Sequence, residues 1–198
     1  SYLQNTYSNF KIIVIDNGST DGTFDYLNNN FPSIEVLRLE KNAGYSGGFN
    51  YGIDYAIRKL DADYVLISNN DVKIDDESIK ALVSTAETDP KIGFVTGKVY
   101  YYGAEGGKNI IQTLGRTRHP IFLLGRHIGS GNEDLGQYDD ISEREFCDDV
   151  FILVKRSVIV EVGMFSEEFY FQHEESDWQA RAKKEGYKIY FTPYAKLW

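Results

Sequence analysis

Hydrophobic runs and amphipathic stretches alternate along the first half of the chain. Residues 11–15 and 64–68 are continuous apolar runs, rich in β-branched residues and of the length of one buried strand. Residues 34–39 alternate apolar and polar side chains, which is typical of a half-buried strand. Apolar residues recur at helical spacing in residues 24–31, 53–60 and 79–86. This alternation predicts an α/β fold with a Rossmann-like, mostly parallel, doubly wound sheet.

The pattern changes after Gly93, where residues 93–102 and 110–129 are rich in Val, Ile, Tyr and Phe. Glycine-rich breaks interrupt both stretches, which indicates antiparallel strands or hairpins in a small extension of the sheet. Residues 130–149 are polar and predict a mobile loop. The remaining predicted elements are a strand at 151–154, helices at 157–162 and 174–184, and a last strand at 188–191.

The composition is that of one globular domain. The 198 residues include 30 acidic and 21 basic side chains, which gives a net charge of −9. Because the basic residues are scattered along the chain, no nucleic acid partner is expected. Cys147 is the only cysteine, which excludes an internal disulfide framework and a zinc site built on cysteines. The apolar runs are far shorter than the roughly 20 residues that span a bilayer, so no membrane span is predicted.

Three polar clusters follow predicted strands, at residues 16–22, 42–50 and 69–71. Ligands of open α/β sheets bind beyond the carboxyl ends of the strands, so these clusters are expected to line one crevice. The alternative is that the first two clusters are turns and helix caps, since Asp, Asn, Gly and Ser are the usual turn formers. Asp71 is expected to end a central buried strand, where an ionised carboxylate needs a cation or strong hydrogen bonds. Asp71 can also be a turn or cap residue.

An acidic segment lies near the end of the chain. Residues 165–178 carry five carboxylates among aromatic side chains. Partial burial raises the proton affinity of a carboxylate, whereas a helix start after His173 lowers it, so a general base that is ionised at neutral pH is feasible here. The same residues can equally form the acidic first turn of an ordinary helix.

Together these residues resemble the family 2 glycosyltransferases, inverting enzymes of the GT-A fold, and especially the bacterial rhamnosyltransferase-like branch that builds surface polysaccharides. Residues 10–23 resemble the nucleotide-binding strand and turn of that family, and residues 42–52 resemble its second donor loop. Residues 68–72 stand where the family keeps its DxD-type motif for metal and diphosphate. Residues 163–178 resemble the stretch that ends in an acidic pair.

The resemblance implies transfer of a sugar from a nucleoside diphosphate sugar donor to a hydroxyl of a saccharide or lipid-linked saccharide acceptor, with inversion at the anomeric carbon. It implies a divalent metal, Mn²⁺ or Mg²⁺, at Asp71, where the cation would neutralise the leaving diphosphate. It assigns the role of catalytic base to Glu175, with Glu174 as the alternative assignment. The implied donor-binding residues are Asp16, Asn17, Ser19, Asn42, Gly44, Gly47, Gly48, Asn50, Asn69 and Asn70.

Several positions depart from the family pattern. The motif at 69–71 has one carboxylate instead of two or three, which predicts a modest metal affinity. Ser166 and Glu175 replace the usual aspartates of the acidic segment. Residues 147–150 replace a small Ser-Gly-Ala-like motif on the acceptor side, which predicts an unusual choice of acceptor.

The resemblance also bears on the extent of the domain. Residues 1–198 are expected to be a single glycosyltransferase catalytic domain truncated at both ends. Ser1–Tyr7 resembles only the helix after the first strand of the family, so that strand is expected to be missing, and a metal-binding histidine commonly follows a segment like 194–198. Nucleotide sugars are cytosolic, which predicts a cytoplasmic domain that meets the inner face of the membrane only peripherally, through the parent protein.

Two other functions fit parts of the sequence. Residues 44–48 match the G-x-S-x-G nucleophile elbow of serine hydrolases, with Ser46 as nucleophile and Asp149 and His173 following in the right order. The reduced metal motif and the substituted acidic pair are also compatible with a non-catalytic module that binds sugar nucleotides.

Overall fold

The computed structural model describes residues 1–104, 107, 109–118, 125–169 and 173–198. Part of the predicted antiparallel stretch, with His119, and residues 170–172 of the acidic segment lie outside these ranges. The helices are α1 (Thr23–Asn30), α2 (Gly44–Lys59), α3 (Ser78–Ala86), α4 (Arg156–Val162) and α5 (Glu174–Lys184). The strands are β1 (Ile13–Asp16), β2 (Glu35–Arg38), β3 (Tyr64–Ser68), β4 (Ile92–Tyr100), β5 (Ile111–Thr113), β6 (Arg116–Arg118), β7 (Gly125–His127), β8 (Ser142–Arg144), β9 (Phe151–Lys155) and β10 (Lys188–Leu197).

The predicted α/β class is confirmed, and the largest sheet is mixed where the alternation predicted mostly parallel strands. Its strand order is β3-β9-β4-β10-β8, with β5 added to β4. Within it, β4 and β10 are parallel, whereas β9 runs antiparallel to both β3 and β4. An apolar run identifies a strand but does not reveal the direction of its neighbour, which is why the periodicity missed this arrangement. The predicted antiparallel hairpin is present as β6 and β7.

The first two strands form a separate parallel pair. Ile13 of β1 is in register with Glu35 of β2. The run that contains β1 was expected to be buried on both faces, but only Asp16 of this strand is fully buried. Among the described residues, β1 is paired only with β2 and β3 only with β9, so each strand has one open edge. β3 is therefore an edge strand of the described sheet, and the expectation that Asp71 follows a central strand is wrong.

Aromatic packing fixes the start of α5 against the sheet. The Trp178 side chain is 1% exposed and meets the ring of Phe94 edge-on at 5.5 Å between centroids. Its ring also lies 4.7 Å from that of Phe165, and its indole N–H donates to the carbonyl of Gly163 at 2.7 Å. Burying a tryptophan with its N–H satisfied stabilises this packing and holds the first turn of α5 in one position.

A buried lysine fixes the polar segment 130–149, which was expected to be a mobile loop. The Lys98 side chain of β4 is 3% exposed, and its ammonium lies 2.7 Å from a carboxylate oxygen of Asp134 and 2.6 Å from one of Asp139. The hydroxyl of Tyr100 donates to the same oxygen of Asp134 at 2.5 Å. The segment also contributes β8 to the sheet edge. Polar composition alone does not show such a buried partner, so the predicted mobility is replaced by an anchored segment.

Candidate active site

The side chain of Asn17 joins the first two polar clusters. Its amide nitrogen donates to Asn42 Oδ1 at 3.1 Å and to the carbonyl of Gly44 at 2.9 Å. Its Oδ1 accepts the backbone N–H of Ala43 at 2.9 Å. A Cβ on Gly48 would lie 3.1 Å from the same amide nitrogen, so a glycine there leaves room for Asn17. The loops after β1 and β2 therefore meet, as the sequence predicted for the ends of parallel strands.

Asp16 is a buried carboxylate with one oxygen unsatisfied. Its Oδ1 accepts the backbone N–H of Ser19 at 2.9 Å. Its Oδ2 lies 3.5 Å from Nε of Arg38 and accepts no hydrogen bond from the described residues. A buried acceptor without a donor is costly, and a ligand hydroxyl or N–H would satisfy it. The position suits the predicted contact with a nucleoside.

Two residues of the second cluster hold the acidic segment against α2. The amide of Asn50 exchanges hydrogen bonds with the backbone of Phe165, donating at 3.0 Å and accepting at 3.1 Å. The hydroxyl of Ser46 donates to the carbonyl of Phe169 at 3.2 Å. Ser46 thus lies inside α2 with its proton bonded to a backbone carbonyl, which does not fit the exposed nucleophile of a serine hydrolase.

At two positions of this cluster the local backbone requires a glycine. Gly44 begins α2 with a φ of 76°, in the left-handed region that side chains rarely adopt. A Cβ on Gly47 would lie 2.8 Å from the Cβ of Ala43, so the turn requires a glycine there. A direct approach of their backbone to a donor stays a prediction.

Three carboxylates converge where α5 begins. One oxygen from each of Asp149, Glu174 and Glu175 lies within 4.8 Å of the others. Glu174 is 3% exposed and Glu175 is 6% exposed. Of these three, the sequence had assigned a role in sugar transfer only to Glu174 and Glu175. We call this group the acid cluster.

The acid cluster forms because α5 is tied to the segment before β9. The side-chain oxygen of Gln179 accepts the backbone N–H of Cys147 at 2.8 Å, and its amide nitrogen donates to the Cys147 carbonyl at 2.8 Å. This places Asp149 beside the first turn of α5. His173, with a φ of 74°, precedes the helix and turns the chain into it. The helix start favours negative charge in that turn through the N-terminal end of its dipole.

Tyr45 connects the acid cluster to the second polar cluster. Burial and the neighbouring charge of Asp149 raise the pKa of the Tyr45 hydroxyl well above its usual value. Burial raises the pKa of Asp149 to about 6, against a hydrogen bond from Tyr45 that lowers it, and the charges of Glu175 and Glu174 add to the rise. A residue of the predicted donor loop thus contacts the predicted base region.

Arg116 on β6 is the cation of the site, and no sequence signal pointed to it. One terminal nitrogen of its guanidinium lies 2.9 Å from Glu175 Oε1. The same guanidinium forms an ion pair with Asp148, whose other oxygen accepts the hydroxyl of Thr113 at 2.8 Å. Nδ1 of His127 lies 3.3 Å from that carboxylate. Arg116 therefore fixes the position of Glu175.

The third polar cluster lies apart from these contacts. Asn69 is half-buried, and Asn70 and Asp71 are exposed. Within the described part of the chain, the Asp71 side chain has no hydrogen bond or ion pair to the other clusters. Lys73 and Trp198 exchange backbone hydrogen bonds at 2.7 and 2.8 Å, which places the end of β10 beside this loop. Because an exposed carboxylate needs no compensation, the burial argument for a metal at Asp71 does not hold.

The raised pKa of Asp149 gives a pH-dependent stability. The folded chain binds this proton more tightly than the unfolded chain, whose pKa is about 3.9, so this group makes stability fall as the pH rises from about 4 to 6. The Asp149→Asn variant should gain about 3 kcal/mol of unfolding free energy at pH 7.5 and little at pH 4. Urea unfolding at both pH values measures the gain, with the exposed Asp76→Asn as the control. An equal effect of Asp149→Asn at both pH values would contradict the assignment.

The comparisons with known proteins place this site in a family. A family model described as glycosyl transferase family 2 matches residues 1–163. The chain belongs to glycosyl transferase family 2, and it is a transferase domain by that membership. The matched range includes Asp16, Asn17 and Asp149 and ends before Glu174 and Glu175. The predicted family is thus confirmed, while nothing distinguishes the rhamnosyltransferase-like branch.

Curated relatives agree with the family. The chain is 27% identical over 197 residues to the poly-beta-1,6-N-acetyl-D-glucosamine synthase of Staphylococcus aureus (strain COL), covering 97% of this chain and 43% of the relative. It is 25% identical over 191 residues to the low-salt glycan biosynthesis hexosyltransferase Agl10 of Haloferax volcanii, covering 94% of this chain and 59% of the relative. The chain thus spans less than two thirds of the length of either relative.

A solved structure confirms the GT-A fold. The crystal structure of GalNAc-T7 with UDP, GalNAc and Mn²⁺ superposes with a TM-score of 0.72 at 14% sequence identity, covering 94% of this chain and 37% of that chain.

In the described ranges of this chain, no helix has the length and apolar character required to cross a membrane.

Proposed function

We propose that this chain transfers a sugar from a nucleoside diphosphate donor to a hydroxyl of a saccharide or lipid-linked saccharide, with inversion, in the synthesis of a cell-surface polysaccharide. The observation that carries the proposal is the placement of Glu175, which is buried at the start of α5 beside the donor-loop residue Tyr45. The polysaccharide and glycan enzymes among the relatives support the type of product.

The donor is proposed to bind where the loops after β1 and β2 meet. Asp16 offers its unsatisfied Oδ2 to a hydroxyl or N–H of the nucleoside, and Asn17 holds the two loops together. Ser19 and Asn42 lie in the same hydrogen-bonded loops. A structural neighbour was crystallised with UDP and GalNAc, which supports a nucleotide sugar as donor.

A divalent metal, Mn²⁺ or Mg²⁺, is proposed to neutralise the charge of the leaving diphosphate when bound. The neighbour crystallised with Mn²⁺ supports a metal. Asp71, with Asn69 and Asn70, would contribute oxygen ligands, which these cations prefer. Asp71 is the single carboxylate of this ligand set, and it is exposed. This fits the modest metal affinity that the sequence predicts.

Glu175 is proposed to accept the proton of the acceptor hydroxyl. Its Oε1 is held by Arg116 at 2.9 Å and by the hydroxyl of Ser176 at 3.0 Å, which leaves Oε2 to face the acceptor. An open cavity of about 570 Å³ is lined in part by Tyr138 and by His127, which contacts Asp148, and this cavity is proposed to admit the saccharide. Such an acceptor would bring the parent protein to the inner face of the cell membrane from the cytoplasm.

A calorimetric donor series tests the proposal. UDP-, dTDP- and GDP-sugars are titrated with Mn²⁺ or Mg²⁺ into the full-length protein. Asn17→Ala should weaken donor binding about tenfold, because loss of the hydrogen bonds between the two loops costs about 1 kcal/mol or more. Asn28→Ala, on the exposed surface of α1, is the matched control and should leave binding unchanged.

The same series separates the proposal from its alternatives. Saturable donor binding without turnover in the full-length protein would point to the non-catalytic sugar-nucleotide module. The absence of binding to any of these donors would contradict the proposed function.

A further inference from the structure

The acid cluster concentrates negative charge around the buried carboxylate of Glu174. Asp148 lies next to Asp149 in sequence and pairs with the same arginine as Glu175, which brings the group to four carboxylates, while Asp177 in the first turn of α5 pairs with Arg181 instead. Among the described residues, the cation in contact with them is Arg116, which is bound to Asp148 and Glu175. Glu174 and Asp149 receive no ion pair from it. Two of the four carboxylates are therefore left without a positive partner in the described structure.

Glu174 is a buried carboxylate that lacks a compensating cation in the described structure. It is 3% exposed, and its Oε2 accepts no hydrogen bond from the described residues. Asp149 Oδ2 is also buried without a hydrogen bond from them. A buried carboxylate with neither a donor nor a cation is among the most costly groups in a fold, so such groups normally pair or coordinate metals. The carboxylate of Glu174 faces those of Asp149 and Glu175, with one oxygen of each within 4.8 Å.

We propose that Asp149, Glu174 and Glu175 form a binding site for a hard divalent cation such as Ca²⁺. One oxygen of each carboxylate lies within 4.8 Å of the others, so small side-chain adjustments bring all three onto one cation. Carboxylate oxygens are the ligands that such hard cations prefer.

This site is separate from the metal proposed at Asp71 and does not depend on the proposed sugar transfer. Its ligands come from the loop before β9 and from α5, whereas Asp71 follows β3. Because Glu175 is both a ligand here and the proposed base, an acceptor hydroxyl must take the place of the cation beside it. The cation is therefore expected to bind the chain in the absence of substrates.

Terbium luminescence tests the site directly. Tb³⁺ replaces Ca²⁺ in oxygen sites and is excited through nearby aromatic rings; Trp178 lies one helical turn from Glu174, and Tyr45 contacts the cluster. At pH 7.5 the protein should give saturable Tb³⁺ emission that Ca²⁺ displaces. Glu174→Gln should weaken Tb³⁺ binding at least tenfold, because affinity at such sites follows the number of charged ligands. Asp76→Asn, at an exposed carboxylate away from both proposed metal sites, is the matched control and should leave the emission curve unchanged.

Two further measurements keep the test decisive if Glu174→Gln does not fold. Asp149→Asn removes another ligand of the site, and this variant is expected to be more stable than the wild type at this pH. It should weaken Tb³⁺ binding to a similar extent as Glu174→Gln. Ca²⁺ should raise the melting temperature of the wild type and not that of Asp149→Asn. The absence of saturable emission, or a loss of emission in Asp71→Asn with none in the acid-cluster variants, would overturn the proposal.

Discussion

Replacement of Glu175 by glutamine is expected to lower the rate of sugar transfer by about 10²–10⁴-fold, the contribution of a well-placed general base. The amide keeps the shape of the side chain but cannot accept the acceptor proton. The loss should appear in kcat, with donor affinity unchanged, since Glu175 is bonded to Arg116 and Ser176 and has no hydrogen bond in the described structure to the loops that Asn17 joins. Initial rates with the donor found by calorimetry provide the measurement.

The control for this variant is Glu185→Gln, at the exposed end of the same helix. It changes the same functional group and the same net charge without touching the acid cluster, so transfer should continue at the wild-type rate. A Glu175→Gln protein with full activity would remove the base from this position, and Glu174→Gln would then be the next variant to examine.

Replacement of Lys98 by methionine is expected to lower the free energy of unfolding by about 3–5 kcal/mol. The Lys98 side chain is 3% exposed, and removal of its ammonium leaves the buried Asp134 carboxylate without a cation. The polar segment 130–149 would then lose its anchor to β4. Urea unfolding followed by tryptophan fluorescence measures the change.

Lys80→Met is the matched control for this stability measurement. Its ion pair with Glu77 on α3 is exposed, at 63% and 51% of the two side chains, and exposed pairs contribute at most about 1 kcal/mol. Similar losses in Lys98→Met and Lys80→Met would show that the buried pair does not anchor the segment.

The local elements could be predicted from sequence because their signals are local. The apolar spacing in 79–86 and the acidic start of the helix at 174–184 correspond to α3 and α5 within a residue at each end. The pairing of strands could not be predicted in this way. Each strand of β3, β9 and β4 is an apolar run, and the antiparallel order of these three depends on tertiary packing between distant residues.

In the candidate site, too, the residues that could be predicted are those with a local sequence signal. Glu175 and Asn17 were identified from motifs in which the relevant residues are close in sequence. Arg116 is far from Glu175 along the chain, and their contact exists because the backbone of Arg116 pairs with Phe146, so that β6 crosses near α5. Asp149 appeared in the sequence as a possible hydrolase acid and as part of the acceptor-side segment 147–150. Its burial among carboxylates was not predicted, because it arises from the contact of Gln179 with Cys147.

The parallel pairing of β4 with β10 has a consequence for biosynthesis. Ile92 is in register with Lys188, and β10 lies between β4 and β8, inside the sheet. As the chain leaves the ribosome, one side of β4 must therefore stay without its neighbour until almost all of the described chain has been made. An unpaired apolar edge of this kind invites aggregation, so assembly of this sheet is expected to be late, slow and dependent on chaperones that shield nascent chains.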